Sequence, residues 1–181
     1  MKILIVYGTS EGQTRKIARF MEEVLQGGEH KVVIADATQD PPSPDRFAAV
    51  MIGASVHMQK YQSSVTDYVM RHLDSLNKKH TAFFSVSMAI ASSIEEEHED
   101  IKKMTSDFLA RTGWTPDEVR HFAGALRYTQ YDYFKKLIMR MIAKKEGGST
   151  DTSRDHEYTD WDNVKSFVLN FCTESVASST G

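Results

Sequence analysis

The residues of greatest chemical interest stand close to the amino terminus, in the run Gly8-Thr9-Ser10-Glu11-Gly12-Gln13-Thr14. It follows the apolar stretch Ile3-Leu4-Ile5-Val6-Tyr7 directly and opens a segment of helical periodicity. Backbone amides at a helix start have no internal partner and carry the positive end of the helix dipole, so they attract an anion. The hydroxyls of Thr9, Ser10 and Thr14 add donors, and Gly12 lets the chain bend closely around the bound group. These features make a cradle for a phosphate. A Walker loop needs four residues between its glycines followed by Lys-Ser/Thr; here three residues separate Gly8 from Gly12, and Gln-Thr follows. The dinucleotide pattern G-x-G-x-x-G is also missing. A hydroxyl-rich loop without lysine suits a phosphate monoester better than a magnesium-bound triphosphate. Taken alone, the loop also fits an ordinary strand-to-helix turn with a threonine cap.

Little else in the chain suggests chemistry by itself. None of the seven histidines is spaced with acids or another histidine as metal ligands are, so no metal is expected. Cys172, the single cysteine, cannot form an internal disulfide, and with the rest of the composition it points to a reducing, cytoplasmic setting. No protein side chain stands out as a general acid or base. The 181 residues, 40% hydrophobic and 26% charged, describe a globular domain rather than a disordered chain. A net charge of −3 lacks the basic excess of a nucleic-acid binder. The uncharged stretch 81–94 is shorter than the about 20 apolar residues of a membrane span. The five-residue apolar run after Lys2 is shorter than the about 7–15 residues of a secretory signal, and reads as a first strand.

The elements that must hold the loop alternate. Apolar runs predict strands at 2–7, 31–36, 47–53, 81–87 and 119–126. Helical spacing predicts helices at 15–25, ended by Gly27-Gly28, and at 65–76. A third helix is expected from a capping box of Ser93 and Glu96, and a last one at 160–172. Five strand–helix alternations predict an α/β, doubly wound parallel sheet. Polar residues in the second and fifth strands (Lys31, Asp36, Arg120, His121) suit sheet edges, which selects the order 2-1-3-4-5. The expected organisation is one domain over 1–174 and a disordered tail at 175–181.

One segment breaks this pattern. Residues 127–158 make a connection of 32 residues where about 4–6 is typical. It holds Tyr128, Tyr131 and Tyr133, then Phe134, Leu137, Ile138, Met141 and Ile142 at the spacing of an apolar helix face. Residues 129–145 contain five Lys or Arg and one Asp, a local +4, leaving −7 for the rest of the chain. A basic amphipathic helix on an acidic body points to a membrane surface or an anionic ligand, or else to a helix packed on its own domain with solvated lysines.

The loop Thr9-Ser10-Glu11-Gly12-Gln13-Thr14 resembles the Thr/Ser-x-Thr/Ser-Gly-x-Thr loop of the flavodoxin family, with Glu11 at a position where a hydroxyl is common. That resemblance implies a flavodoxin-like fold with an insert after the fifth strand. It also implies FMN as cofactor, with the phosphate held by Thr9, Ser10, Glu11, Gly12, Gln13 and Thr14. The flavin ring would lie on the loops after strands three and four, at Ala54, Ser55, Val56 and His57 and at Ser85, Ser87 and Met88, with Tyr61 as a stacking candidate that serves equally well in packing. The run Gly124-Ala125-Leu126-Arg127-Tyr128, the basic segment, Gly147-Gly148-Ser149-Thr150-Asp151-Thr152 and Tyr158-Thr159-Asp160-Trp161 resemble, more narrowly, the flavodoxin-type protoporphyrinogen dehydrogenases. This implies oxidation of protoporphyrinogen IX with electrons passed to menaquinone or ubiquinone. Gly124, Ala125 and Leu126 would then border the cofactor, and Arg127, Tyr128, Lys135 and Arg140 the anionic porphyrinogen. Residues 129–145 would contact the cytoplasmic face of the membrane. A flavodoxin-type electron carrier and an FMN-dependent NAD(P)H:quinone reductase are the alternatives.

Overall fold

A computed structural model of the chain describes residues 1–126 and 156–178. Five parallel strands, β1 (Lys2–Gly8), β2 (Lys31–Asp36), β3 (Ala49–Ser55), β4 (His80–Ser87) and β5 (Glu118–Ala123), form a sheet in the order β2-β1-β3-β4-β5. This is the expected order, with the two more polar strands outermost. Because side chains alternate across a strand, each strand feeds two cores. Ile3, Ile5, Met51, Phe84 and Phe122 face α1 (Gln13–Gly27) and the carboxyl-terminal helix α5 (Trp161–Ser178). Leu4, Val6, Val50, Ile52 and Phe83 face α2 (Ser63–Arg71), α3 (Leu73–Leu76) and α4 (Glu95–Thr112), where Phe108 and Trp114 complete the packing. Burial on both faces explains why β1, β3 and β4 read as nearly unbroken apolar runs.

At Gly53 the two central strands come close to the Phe84 side chain. A Cβ there would lie 2.1 Å from the Phe84 ring, so only glycine leaves that ring its place. The ladders align the carboxyl ends of the strands: Gly8 pairs with Ala54, Ser55 with Val86, and Ser87 with Ala123. The loops that leave these ends therefore meet.

Four local features differ from the sequence expectation. The second helix divides at His72 into α2 and α3. The Ser93–Glu96 capping box does not form: α4 starts at Glu95, and Ser92 rather than Ser93 engages the backbone, its hydroxyl accepting the Ile94 amide at 3.1 Å. Glu95, Glu96 and Glu97 nevertheless occupy the first turn of α4, where they favour the dipole. The run expected as one strand over 119–126 is broken at Gly124. Beyond it, β6 (Ala125–Leu126) leaves the main sheet and pairs antiparallel with β7 (His156–Glu157). The last helix continues through Ser178, past its expected end at 172 and into the segment expected as tail. The basic apolar segment 129–145 and the remainder of 127–155 lie outside the described residues. No helix among the described residues is long and apolar enough to cross a membrane.

Candidate functional site

The loop between β1 and α1 turns at Gly12, whose φ of +94° lies in the left-handed region that glycine adopts without strain. The Gly12 amide donates to the Thr9 Oγ1 at 2.8 Å, and the Ser10 amide donates to the Ser55 Oγ at 3.2 Å. Two loop amides are thus spent on holding the loop, and the amides of the first turn of α1 remain to face a ligand. The first turn of α1 carries no acidic residue, so its positive end is not neutralised from within. Thr14, in that turn, is completely buried, and its hydroxyl oxygen has no hydrogen-bond partner. A buried hydroxyl without a partner costs about 1–3 kcal/mol, and a phosphate oxygen seated on the loop would remove that cost.

A narrow cleft opens over this loop. Thr9, Ser10, Glu11, Gln13 and Thr14 form one wall; Ser55, Val56 and His57 follow β3; Val86, Ser87 and Met88 follow β4; Gly124 and Ala125 follow β5. The cleft thus lies at the carboxyl ends of the strands, where a doubly wound sheet binds its ligand. Most of the site residues expected from sequence are brought together here. Gly12 contributes through its backbone turn. Glu11 supplies the only carboxylate lining the cleft among the described residues. A tight hairpin turn follows His57: its amide donates to the Lys60 carbonyl at 2.9 Å and the Lys60 amide donates back at 3.0 Å. Met58 and Gln59 span the turn with φ of 49° and 59°, leaving Met58 83% exposed beside the cleft.

Four expected residues belong elsewhere. Tyr61 packs edge-on against Phe83 and Phe108, at 5.2 and 5.1 Å between ring centres, and its hydroxyl donates to Ser85 at 2.8 Å and meets Thr105 at 2.7 Å. Burial pushes the phenol up from its ordinary pKa, against the opposing effect of these hydrogen bonds. Its role is packing rather than stacking on a ring. Ser85 is fully buried beneath Tyr61 because it shares the Phe83 face of β4, turned away from the cleft. Ala54 is fully buried against the α2 side, so its methyl group does not reach the cleft either. Leu126 enters the two-residue ladder with His156. Arg127, Tyr128, Lys135 and Arg140 lie outside the described residues.

Three contributors were not expected. Thr159 is buried where the chain returns from residue 155; it accepts from the Gln13 side chain at 2.9 Å and donates to the Ala123 carbonyl at 2.8 Å. Beside it, Glu157 pairs with Lys16 and accepts from the Trp161 indole at 2.9 Å. Burial works to raise the Glu157 pKa, but hydrogen bonds from Lys16, Trp161 and Gln13 outweigh it and hold the carboxyl below its ordinary value. The strand pair that begins and ends the insert is therefore anchored on the helix of the phosphate loop. Gln62, the residue before α2, donates to Ser10 at 3.0 Å and to Ser55 at 2.6 Å. No local pattern marks Gln62, and the run Tyr158-Thr159-Asp160-Trp161 gives Thr159 no role, since the partners of both are distant in sequence.

Sheet order, crevice and loop define a mononucleotide-binding protein of the flavodoxin type. Residues 4–153 match the family described as the flavodoxin domain. Among solved structures, the oxidised flavodoxin 1 of Bacillus cereus aligns with a TM-score of 0.58 and 15% identity, covering 96% of this chain and 98% of that one. A Streptococcus pneumoniae flavodoxin gives the same TM-score at 10% identity. At such identities these show the fold. Closer in sequence, the protoporphyrinogen IX dehydrogenase [quinone] of Escherichia coli K12 is 33% identical over 169 residues, 93% of each chain. Its counterpart in Leishmania major is 30% identical over 97% of this chain and 77% of its own length. The chain belongs to the flavodoxin-type protoporphyrinogen IX dehydrogenase family.

Proposed function

We infer that this chain is an FMN-dependent dehydrogenase that oxidises protoporphyrinogen IX to protoporphyrin IX and passes the electrons to a quinone. The observation that carries the reading is the buried, unpartnered Thr14 hydroxyl at the start of α1, in a first turn whose free amides and lack of acidic residues suit a phosphate dianion. Bound FMN supplies the redox chemistry, taking electrons from the porphyrinogen and yielding them to the quinone. The residues of the chain supply placement and electrostatics. Thr9, Ser10 and Thr14 donate to the phosphate. Backbone and side-chain groups of Val56, His57, Ser87 and Met88 would border the ring, with Gly124 and Ala125 closing the far side of the cleft.

Porphyrinogen is an apolar macrocycle of four pyrroles joined by saturated methylene bridges, with two propionates. Arg127, Tyr128, Lys135 and Arg140 are the groups suited to it, because guanidinium and ammonium groups bind carboxylates by charge-assisted hydrogen bonds. The basic apolar segment 129–145 suits the surface of an anionic bilayer, where a lipid-dissolved quinone is reached. Leu126 and His156, the residues that flank 127–155 in the sequence, pair on the β6–β7 ladder.

The test is anaerobic turnover. Flavin-loaded protein with protoporphyrinogen IX and menadione should develop porphyrin fluorescence only when the quinone is present. Absence of quinone-dependent fluorescence would refute the activity. A variant in which Asn-Gly replaces residues 127–155 should keep its flavin and lose turnover; full turnover in that variant would remove the insert from substrate binding.

A further inference from the structure

We propose that Gln62 is a positioning residue that fixes the direction of two serine hydroxyls, so that both donate to the cofactor phosphate; this rests on the FMN reading above. A phosphate dianion only accepts hydrogen bonds, whereas a serine hydroxyl can donate or accept. A useful phosphate loop must therefore prevent its hydroxyls from turning their protons inward. The Gln62 Nε2 donates to the Ser10 Oγ at 3.0 Å and to the Ser55 Oγ at 2.6 Å. The Ser55 Oγ also accepts the Ser10 amide at 3.2 Å, so both its acceptor positions are filled and only its proton remains to offer. Ser10 and Ser55 both line the cleft. The same carboxamide thus joins the loop after β1 to the loop after β3 and gives their hydroxyls a common polarity. It also places Ser55 against the phosphate loop, away from the ring end to which sequence alone assigned it.

The packing around the amide supports this reading. The Gln62 Oε1 is buried without a hydrogen-bond partner, a penalty that a residue serving the fold alone would be expected to avoid. Space for it is made by Gly8: a Cβ there would lie 3.0 Å from the Gln62 Oε1 and 2.5 Å from Val65 Cγ2. The amide is therefore held in a fixed seat beside the end of β1. Its donors face the serines and its carbonyl faces the apolar side.

The experiment compares full-length protein stripped of flavin with Gln62→Leu and Gln62→Glu, titrating FMN and riboflavin by quenching of flavin fluorescence. Leucine keeps the approximate volume and removes both donors. FMN binding should weaken about tenfold or more, riboflavin binding should stay within twofold, and the melting temperature of the apoprotein should hold or rise. Glutamate keeps the shape but can only accept, so it captures the serine protons and sets a charge against the phosphate; its loss of FMN affinity should exceed that of leucine. Wild-type FMN affinity in either variant overturns the proposal. So does an equal loss for riboflavin, which would mean that Gln62 shapes the whole cleft. Failure of the unmutated protein to bind FMN is a different result, and it would overturn the cofactor reading together with this one.

Discussion

Replacing Thr14 by valine tests the phosphate cradle through two effects of opposite sign. Valine has the shape of threonine with a methyl group in place of the hydroxyl, and the two have similar helix propensities. In the apoprotein the Thr14 hydroxyl is fully buried and unpartnered. Leaving such a group without a partner costs about 1–3 kcal/mol. Thr14→Val should therefore stabilise the flavin-free protein by about 1 kcal/mol, a rise of about 2–4 °C in melting temperature for a chain of this length. The FMN complex should respond in the opposite direction. A hydrogen bond to a charged group contributes about 1.5–3 kcal/mol, so the variant should bind FMN about 10- to 150-fold more weakly. Thermal melts of stripped protein and fluorescence titration with FMN measure both. A lower apoprotein melting temperature would show that the hydroxyl has a structural partner. FMN affinity within twofold of the unmutated protein would show that it does not reach the phosphate.

Gly53→Ala should lower the denaturant midpoint, since the added methyl meets three Phe84 ring atoms at 2.1–2.7 Å and overpacking of this kind costs about 1–3 kcal/mol; an unchanged midpoint would contradict the packing. Burial, with Lys102 and Arg120 nearby, lowers the His121 pKa below its ordinary value, so the native state holds it neutral while the unfolded chain protonates first. Stability should accordingly be complete above pH about 6.5 and fall as the pH drops below it, with His30 and His72 acting in the same direction. His121→Gln should flatten that decline in urea titrations across pH, and an unaltered slope would refute the assignment. Burial pushes the Cys172 thiol up to about 11, and the residue is only 8% exposed. Iodoacetamide should therefore label native protein slowly and urea-unfolded protein rapidly, and equal rates would contradict its burial.

The frame was largely legible in the sequence because its signals are local or compositional. Apolar runs with helices on both faces mark β1, β3 and β4, and the polar residues of β2 and β5 place those strands at the edges. The phosphate loop was legible for the same reason, since strand, glycine turn, hydroxyls and helix start are contiguous. What escaped depends on partners that are remote or in competition. Residues 119–126 look like one strand until β7 appears 30 residues after Leu126 to draw β6 away. Ser93 and Glu96 have capping-box spacing, but the adjacent Ser92 binds the Ile94 amide and accepts from His98 through its carbonyl at 2.8 Å. Tyr61 falls in the loop after β3 and Ser85 near the end of β4, yet the alternation of β4 turns Ser85 inward, and Tyr61 follows it to satisfy its hydroxyl. Gln62 and Thr159 make contacts across 52 and 146 residues of sequence, which no local pattern could assign to them.

The adjacency of Leu126 and His156 on a single ladder bears on how the protein can change over time. When a loop starts and finishes at neighbouring rungs, doubling its length adds only about 0.6 kcal/mol of closure entropy. Whatever lies between those rungs can therefore be lengthened, shortened or exchanged for another sequence with little effect on the five-stranded frame. New partners can be acquired through that gap while the nucleotide cradle, built from the opposite end of the chain, stays as it is.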